Sequence, residues 1–166
     1  MPQMFEVIET ATIHAPIERL FALSTRVELV QKTLGMKLAG GVTSGHVVEG
    51  SRVVWSGWKF LLPTTHHTLI TGHAEPYVEA EGRKSAWFQD SQERGRFANF
   101  QHDHFFHENH EGVTTLRDEV RFSLPFGMLG ELAGRWLLAP HTRKLCRLRF
   151  ALIERLAEGD GWKDWV

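Results

Sequence analysis

The segment FQHDHFF, Phe100 to Phe106, sets two histidines two residues apart between aromatics of the same parity. Alternate residues of a strand share a face. A strand here therefore carries Phe100, His102, His104 and Phe106 together. His-x-His on one strand face is a genuine metal-ligand spacing. The same pair beside a carboxylate can move a proton. It can also sit in the wall of a ligand cavity and orient a polar group. Residue types alone leave all three chemistries open.

The next strand must position this pair. A three-residue loop His110-Glu111-Gly112, with glycine last for its left-handed freedom, predicts a hairpin in which Asn109 faces Val113. Phe106 then lies opposite Leu116, His104 opposite Asp118, His102 opposite Val120 and Phe100 opposite Phe122. The other face holds Gln101, Asp103, Phe105, His107, Thr115, Arg117, Glu119 and Arg121, and reads as solvent. A slip of one residue would turn Arg117, Glu119 and Arg121 toward the core, which costs too much. Asp90 shares the parity of Phe88, so it joins the inward polar set with His102, His104 and Asp118. No nucleophile motif accompanies Ser56, Ser85 or Ser91.

The rest of the chain supplies the frame. Residues 4–14 read as a strand with Phe5, Val7, Ala11 and Ile13 on one face, interrupted by Glu9. PIERLFALST predicts a helix opened by proline, and a second short helix spans residues 27–33. Strands follow in SRVVWSGWKF, THHTLITGHAE and KSAWFQDSQ, with one of His66 and His67 turned inward. A long helix is predicted over residues 129–157, with Leu137, His141, Leu145, Leu148, Leu152 and Leu156 as its buried stripe. Pro140 should kink it. Arg143, Lys144, Arg147 and Arg149 read as its solvated face. The tail GDGWKDWV is expected to be loosely packed. Strands that do not alternate with helices imply an α+β fold with an antiparallel sheet covered by the last helix.

A chain of 166 residues, with 42% hydrophobic and 23% charged residues, is ordinary for one globular domain, residues 1–166. The net charge of −1 gives no reason to expect nucleic acid or an anionic membrane as partner. A single cysteine, Cys146, precludes an intrachain disulfide and a cysteine-based zinc site. No secretory signal or membrane span is expected, so the expected location is cytoplasmic, as a monomer or homodimer without stable membrane insertion.

Several motifs resemble the START/birch-pollen-allergen superfamily, in particular a bacterial branch labelled ligand-binding or cell-division-inhibitor-like. They are F-x-D-x-Q (Phe88 to Gln92), G-x-F (Gly95 to Phe97), F-x-H-x-H-x-F (Phe100 to Phe106) and T-x-x-D-x-V-x-F-x-x-P-x-G (Thr115 to Gly127), with I-x-A-P-x-E-x-L-F (Ile13 to Phe21) at the start. The sequence departs from that branch at Arg96, where proline is usual, and at Phe100, where tryptophan is usual. The resemblance implies a helix-grip fold: a bent antiparallel sheet wraps the C-terminal helix around a cavity for an apolar or amphipathic molecule. Expected lining residues are Trp55, Phe88, Asp90, Phe100, Phe106, Val120, Phe122, Leu137 and His141, with His102, His104 and Asp118 orienting a polar head. No metal or other cofactor is expected. A cyclase- or dehydratase-like enzyme using the His–Asp pair is the first alternative, and a regulatory protein-interaction domain the second.

Overall fold

A computed structural model describes residues 1–166. Strand β1 (Phe5–Ile13) leads into helices α1 (Ile17–Thr25) and α2 (Val27–Leu34). Strands β2 (Lys37–Gly41), β3 (Arg52–Lys59), β4 (Leu62–Val78), β5 (Lys84–Arg94), β6 (Asn99–His110) and β7 (Val113–Ser123) follow. The chain closes with α3 (Gly127–Ala133), a wider π turn (Gly134–Leu138), α4 (Ala139–Glu158) and a 3-10 turn (Gly161–Asp164). The seven strands form one antiparallel sheet in the order β1-β7-β6-β5-β4-β3-β2. Three register shifts between β4 and β5 bend this sheet, because each extra residue increases local twist. Its concave face wraps α4.

The β6–β7 register is the predicted one: Phe100 faces Phe122, His102 faces Val120, His104 faces Asp118 and Phe106 faces Leu116. Only the hairpin end differs. His110 pairs with Val113 after a shift, leaving a two-residue turn at Glu111-Gly112 instead of the three-residue loop. On the convex face Asp103 is buried, not solvated, because Arg121, Gln101 and Gln89 all donate to its carboxylate. Strand β2 is absent from the sequence expectation, since its glycines read as a connection.

Helix α1 starts after Pro16, and the Glu108 carboxylate accepts the Ile17 N–H at 2.8 Å in place of a local cap. Its Ile17, Leu20, Phe21 and Leu23 enter the main core beside Phe88, Phe106, Leu116, Phe150 and Ile153. Glu9, the break in β1, faces inward and receives hydrogen bonds from Arg143 and Arg147 of α4.

The C-terminal helix departs most from expectation. It does not simply kink at Pro140. Proline has no N–H, and the backbone widens just before it, with Ala139 N–H bonding five residues back to Gly134. The extra residue rotates the buried stripe. Cys146, Arg149, Phe150, Ile153 and Ala157 face the core, whereas Leu137 and Leu148 are exposed. Arg149 thus leaves the solvated face assigned to it. The tail is not loose either: Trp162 and Trp165 pack on the main core, with Arg19 lying 4.1 Å over the Trp162 ring.

Candidate functional site

Strand parity brings Asp90 of β5, His102 and His104 of β6 and Asp118 of β7 side by side, and α4 lowers Arg149 onto them. His104 is the hub. Its Nδ1 lies 3.1 Å from Asp118 Oδ1 and its Nε2 lies 3.0 Å from Asp90 Oδ2. A ring with acceptors on both nitrogens is satisfied when both carry protons. Its face stacks on Phe88, with centroids 4.0 Å apart. Arg149 Nη1 donates to both oxygens of Asp118 at 2.9 and 2.8 Å. His102 lies beside His104 with ring centroids 3.7 Å apart. Its Nε2 is 3.3 Å from Asp118 Oδ2 but makes no hydrogen bond. Arg149 Nη2 is likewise buried without a partner.

The electrostatics follow from this crowding. Burial pushes the Asp118 carboxyl up, but Arg149 and the two imidazoles outweigh it and hold Asp118 well below the usual carboxylate range. Asp90 is lowered as well, the His104 hydrogen bond and the neighbouring imidazoles overcoming burial. Burial opposes the charged form of His104, yet Asp118 and Asp90 raise its pKa above the ordinary histidine value. His102 moves the other way, lowered by burial and by the neighbouring His104 charge. The pKa values of two adjacent histidines are therefore pushed in opposite directions. His66, the inward member of its pair, packs edge-on against Phe97 and Phe100 and is also lowered by burial.

Asp90, His102 and His104 offer ligand atoms close enough to close on a cation, as do His102, Asp118 and Cys146. The second set is poorly suited. Burial pushes the Cys146 thiol up to about 12, and a metal ligand must be the thiolate. Arg149 already neutralises Asp118. In the first set, His104 Nε2 and Asp90 Oδ2 already lie within hydrogen-bond distance of each other, at 3.0 Å.

The other predicted site residues fall into separate packed groups and do not line one common space. Trp55 belongs to a cluster around Val27, Met36, Val53 and Ile70. Phe88 and Phe106 sit in the main core, each edge-on to Phe21. Val120 and Phe122 pack with Val7 and Cys146, and Phe100 borders that cluster. His141 is half-buried against Phe60, with centroids 5.0 Å apart. Leu137 points outward. Apart from Leu137 and His141, these side chains pack on core side chains, and a void beside Arg149, lined also by Leu23, Ser24 and Leu152, measures only about 10 Å³. Arg149 is the site residue that sequence reasoning missed. Its signal was the inward Asp118, a buried carboxylate that requires a cation.

This architecture defines a helix-grip protein: a curved antiparallel sheet around a long C-terminal helix, with two short helices after the first strand. It is the fold of the START/birch-pollen-allergen superfamily. A Thermus thermophilus protein, TTHA0849, aligns over 90% of this chain and 97% of its own with a TM-score of 0.61 at 16% identity. A START superfamily protein from Mycobacterium smegmatis aligns over 92% and 97% with a TM-score of 0.55 at 14% identity. A Thalictrum norcoclaurine synthase, solved with a transition-state analogue, aligns over 92% and 96% with a TM-score of 0.58 at 7% identity. No family model and no curated protein sequence matches the chain.

Proposed function

We propose that the protein binds a small amphipathic molecule between the sheet and α4, its polar head received by His102, His104, Asp118 and Arg149. One observation carries this reading: His102 Nε2 and Arg149 Nη2 are both buried and both without a hydrogen-bond partner. A buried polar atom without a partner costs roughly 1–3 kcal/mol. A ligand oxygen that accepts from Arg149 Nη2 and meets His102 removes that cost. The apolar remainder would lie among the aromatic side chains, which must part to admit it, because the space is closed in the free protein. The π turn ahead of α4 is a natural place for that movement, since its backbone ladder is already interrupted.

The test is native and then denaturing mass spectrometry of the purified protein, followed by titration with fatty acids, sterols and aromatic polyketides. The expected result is an organic adduct, or saturable binding, that is lost in His102→Leu while thermal stability is kept. His102 Nε2 makes no hydrogen bond in the free protein, only a 3.3 Å contact with Asp118 that Arg149 also neutralises, so this variant removes a ligand contact at little internal cost. Ligand binding unchanged in His102→Leu would overturn the assignment of the polar head.

A second reading is favoured by the opposed pKa shifts of the two histidines. Environments that push neighbouring pKa values apart are how one site obtains both a proton donor and an acceptor. Protonated His104 would then be the acid and neutral His102 the base of a cofactor-independent cyclase- or dehydratase-like reaction. Turnover of a bound ligand, abolished by His102→Leu without loss of affinity, distinguishes this from simple binding.

A further inference from the structure

Three residues other than glycine have positive φ: Phe60 at 50°, Leu61 at 63° and Phe126 at 73°. All three are large and apolar, and all three are exposed, Leu61 at 92% and Phe126 at 83%. The left-handed region is disfavoured for side chains of this size. Phe60 and Leu61 are the two central residues of the β3–β4 hairpin, closed by the Lys59–Leu62 pair. A turn with φ positive at both positions is the natural place for Asn-Gly. The chain instead keeps phenylalanine and leucine there, against both backbone preference and exposure to water. Observed strain of this kind points toward function.

The strained residues occupy one end of the molecule. The Phe60 ring packs on His141 at the start of α4, and Arg96, in the β5–β6 loop, donates to Pro63 O at 2.6 Å. Phe126 introduces α3 after the end of β7, at the same end of the sheet. Trp58, Met128, Leu129 and Trp136 extend the apolar surface, each at least 70% exposed. The surrounding charge is basic. From Leu124 to Leu148 there is one acid, Glu131, against Arg135, Arg143, Lys144 and Arg147, of which Arg143 and Arg147 pair with Glu9, and Gly57 to Thr64 has no acid at all. Arg135 and Lys144 are exposed and absent from the chain's ion pairs. Lys144 also lines an open groove of about 400 Å³ with Arg143 and Arg147. The net charge of −1 conceals this asymmetry.

We propose that this rim docks on an anionic lipid bilayer, with the β3–β4 hairpin tip and α3 entering the headgroup boundary. Separate apolar projections, tryptophans among them and unpaired cations beside them, suit a fluid interface that needs no complementary relief. A protein partner would instead have to fit a hairpin tip and a helix at once. No helix of the chain is long and apolar enough to cross a membrane, so the association is peripheral. This inference stands independently of the ligand-binding reading.

Co-sedimentation with phosphatidylcholine vesicles, with and without phosphatidylserine, tests it. The expected result is binding that needs phosphatidylserine and weakens with salt. Phe60→Asn combined with Leu61→Gly should abolish binding while raising the thermal midpoint, because it installs the turn residues the backbone prefers. Leu129→Ser should weaken binding without touching the turn. Arg135→Ser and Lys144→Ser should each weaken it by roughly fivefold. No binding to phosphatidylserine vesicles, or full binding by the double variant, would overturn the proposal. So would a concentration-dependent dimer that the double variant dissolves, which assigns the rim to a second copy of this chain.

Discussion

At the scale of single residues, His104 decides the character of the interior. It is one ring between two carboxylates, and its proton lets Asp90 and Asp118 coexist 14 and 31 residues from their partners His104 and Arg149. The linkage signs differ within the cluster. The folded pKa of His104 is raised, so its stabilisation is complete below the unfolded value of about 6.5 and is lost as pH rises through the folded value. His102 is depressed, so its contribution is present above about 6.5 and is lost as pH falls through its folded value. Asp90 and Asp118 are depressed too, and theirs is present above about 3.9 and lost in acid. Ring-nitrogen NMR at a pH of about 6.5 should therefore find His104 as imidazolium and His102 neutral. In Asp118→Asn the His104 pKa should fall. Two histidines titrating together at the ordinary value would refute the arrangement. The histidine pair, Asp90 and Asp118 are readable from parity alone. Arg149 is not, because its neighbours in sequence are solvated bases and only the phase of α4 separates it from them.

At the scale of elements, the join between α3 and α4 is the part that local rules describe least well. Pro140 announces an interruption, but the widened turn from Gly134 to Leu138 lies ahead of it and turns the helix by a residue's worth of rotation. Gly134 is buried directly on the Phe5 ring, where a β-carbon would collide with the aromatic edge. Gly134→Ala should therefore cost about 1–3 kcal/mol in chemical denaturation, the usual range for overpacking. Adding Phe5→Ala should recover part of that loss, since contacting residues couple. Additive losses in the double variant would show that the glycine serves the backbone and not the packing. By contrast, the strands are legible because alternation survives burial: β1, β3, β5, β6 and β7 all fall where period-two patterning puts them.

At the scale of the whole molecule, the sheet and α4 close on each other with aromatic side chains, and the chain's end seals one side. Trp162 and Trp165 border the main core, and the cations of Arg19, Lys32 and Lys163 lie over their rings. Deleting residues 159–166 should lower stability by on the order of 2–3 kcal/mol, the value of burying apolar side chains of this size in part. The molecular mass in solution should not change if these tryptophans serve the core and not a dimer. An unchanged denaturation midpoint, or a change in oligomeric state, would show the opposite.

Local alternation and composition are enough to establish the α+β class, the antiparallel sheet with its covering helix, and the inward set of His102, His104, Asp90 and Asp118. Those features depend on period-two and period-three-to-four patterns, which each segment carries within itself. Three others depend on contacts between distant segments. Arg149 meets Asp118 only because the π turn sets the phase of α4. Trp55, Phe88, Phe106 and Phe122 become separate packed clusters because side-chain volumes, not parity, determine whether an enclosed space stays open. And the apolar, strained rim exists only once the hairpin tip at Phe60-Leu61 and the start of α3 at Phe126 are brought to the same end of the sheet.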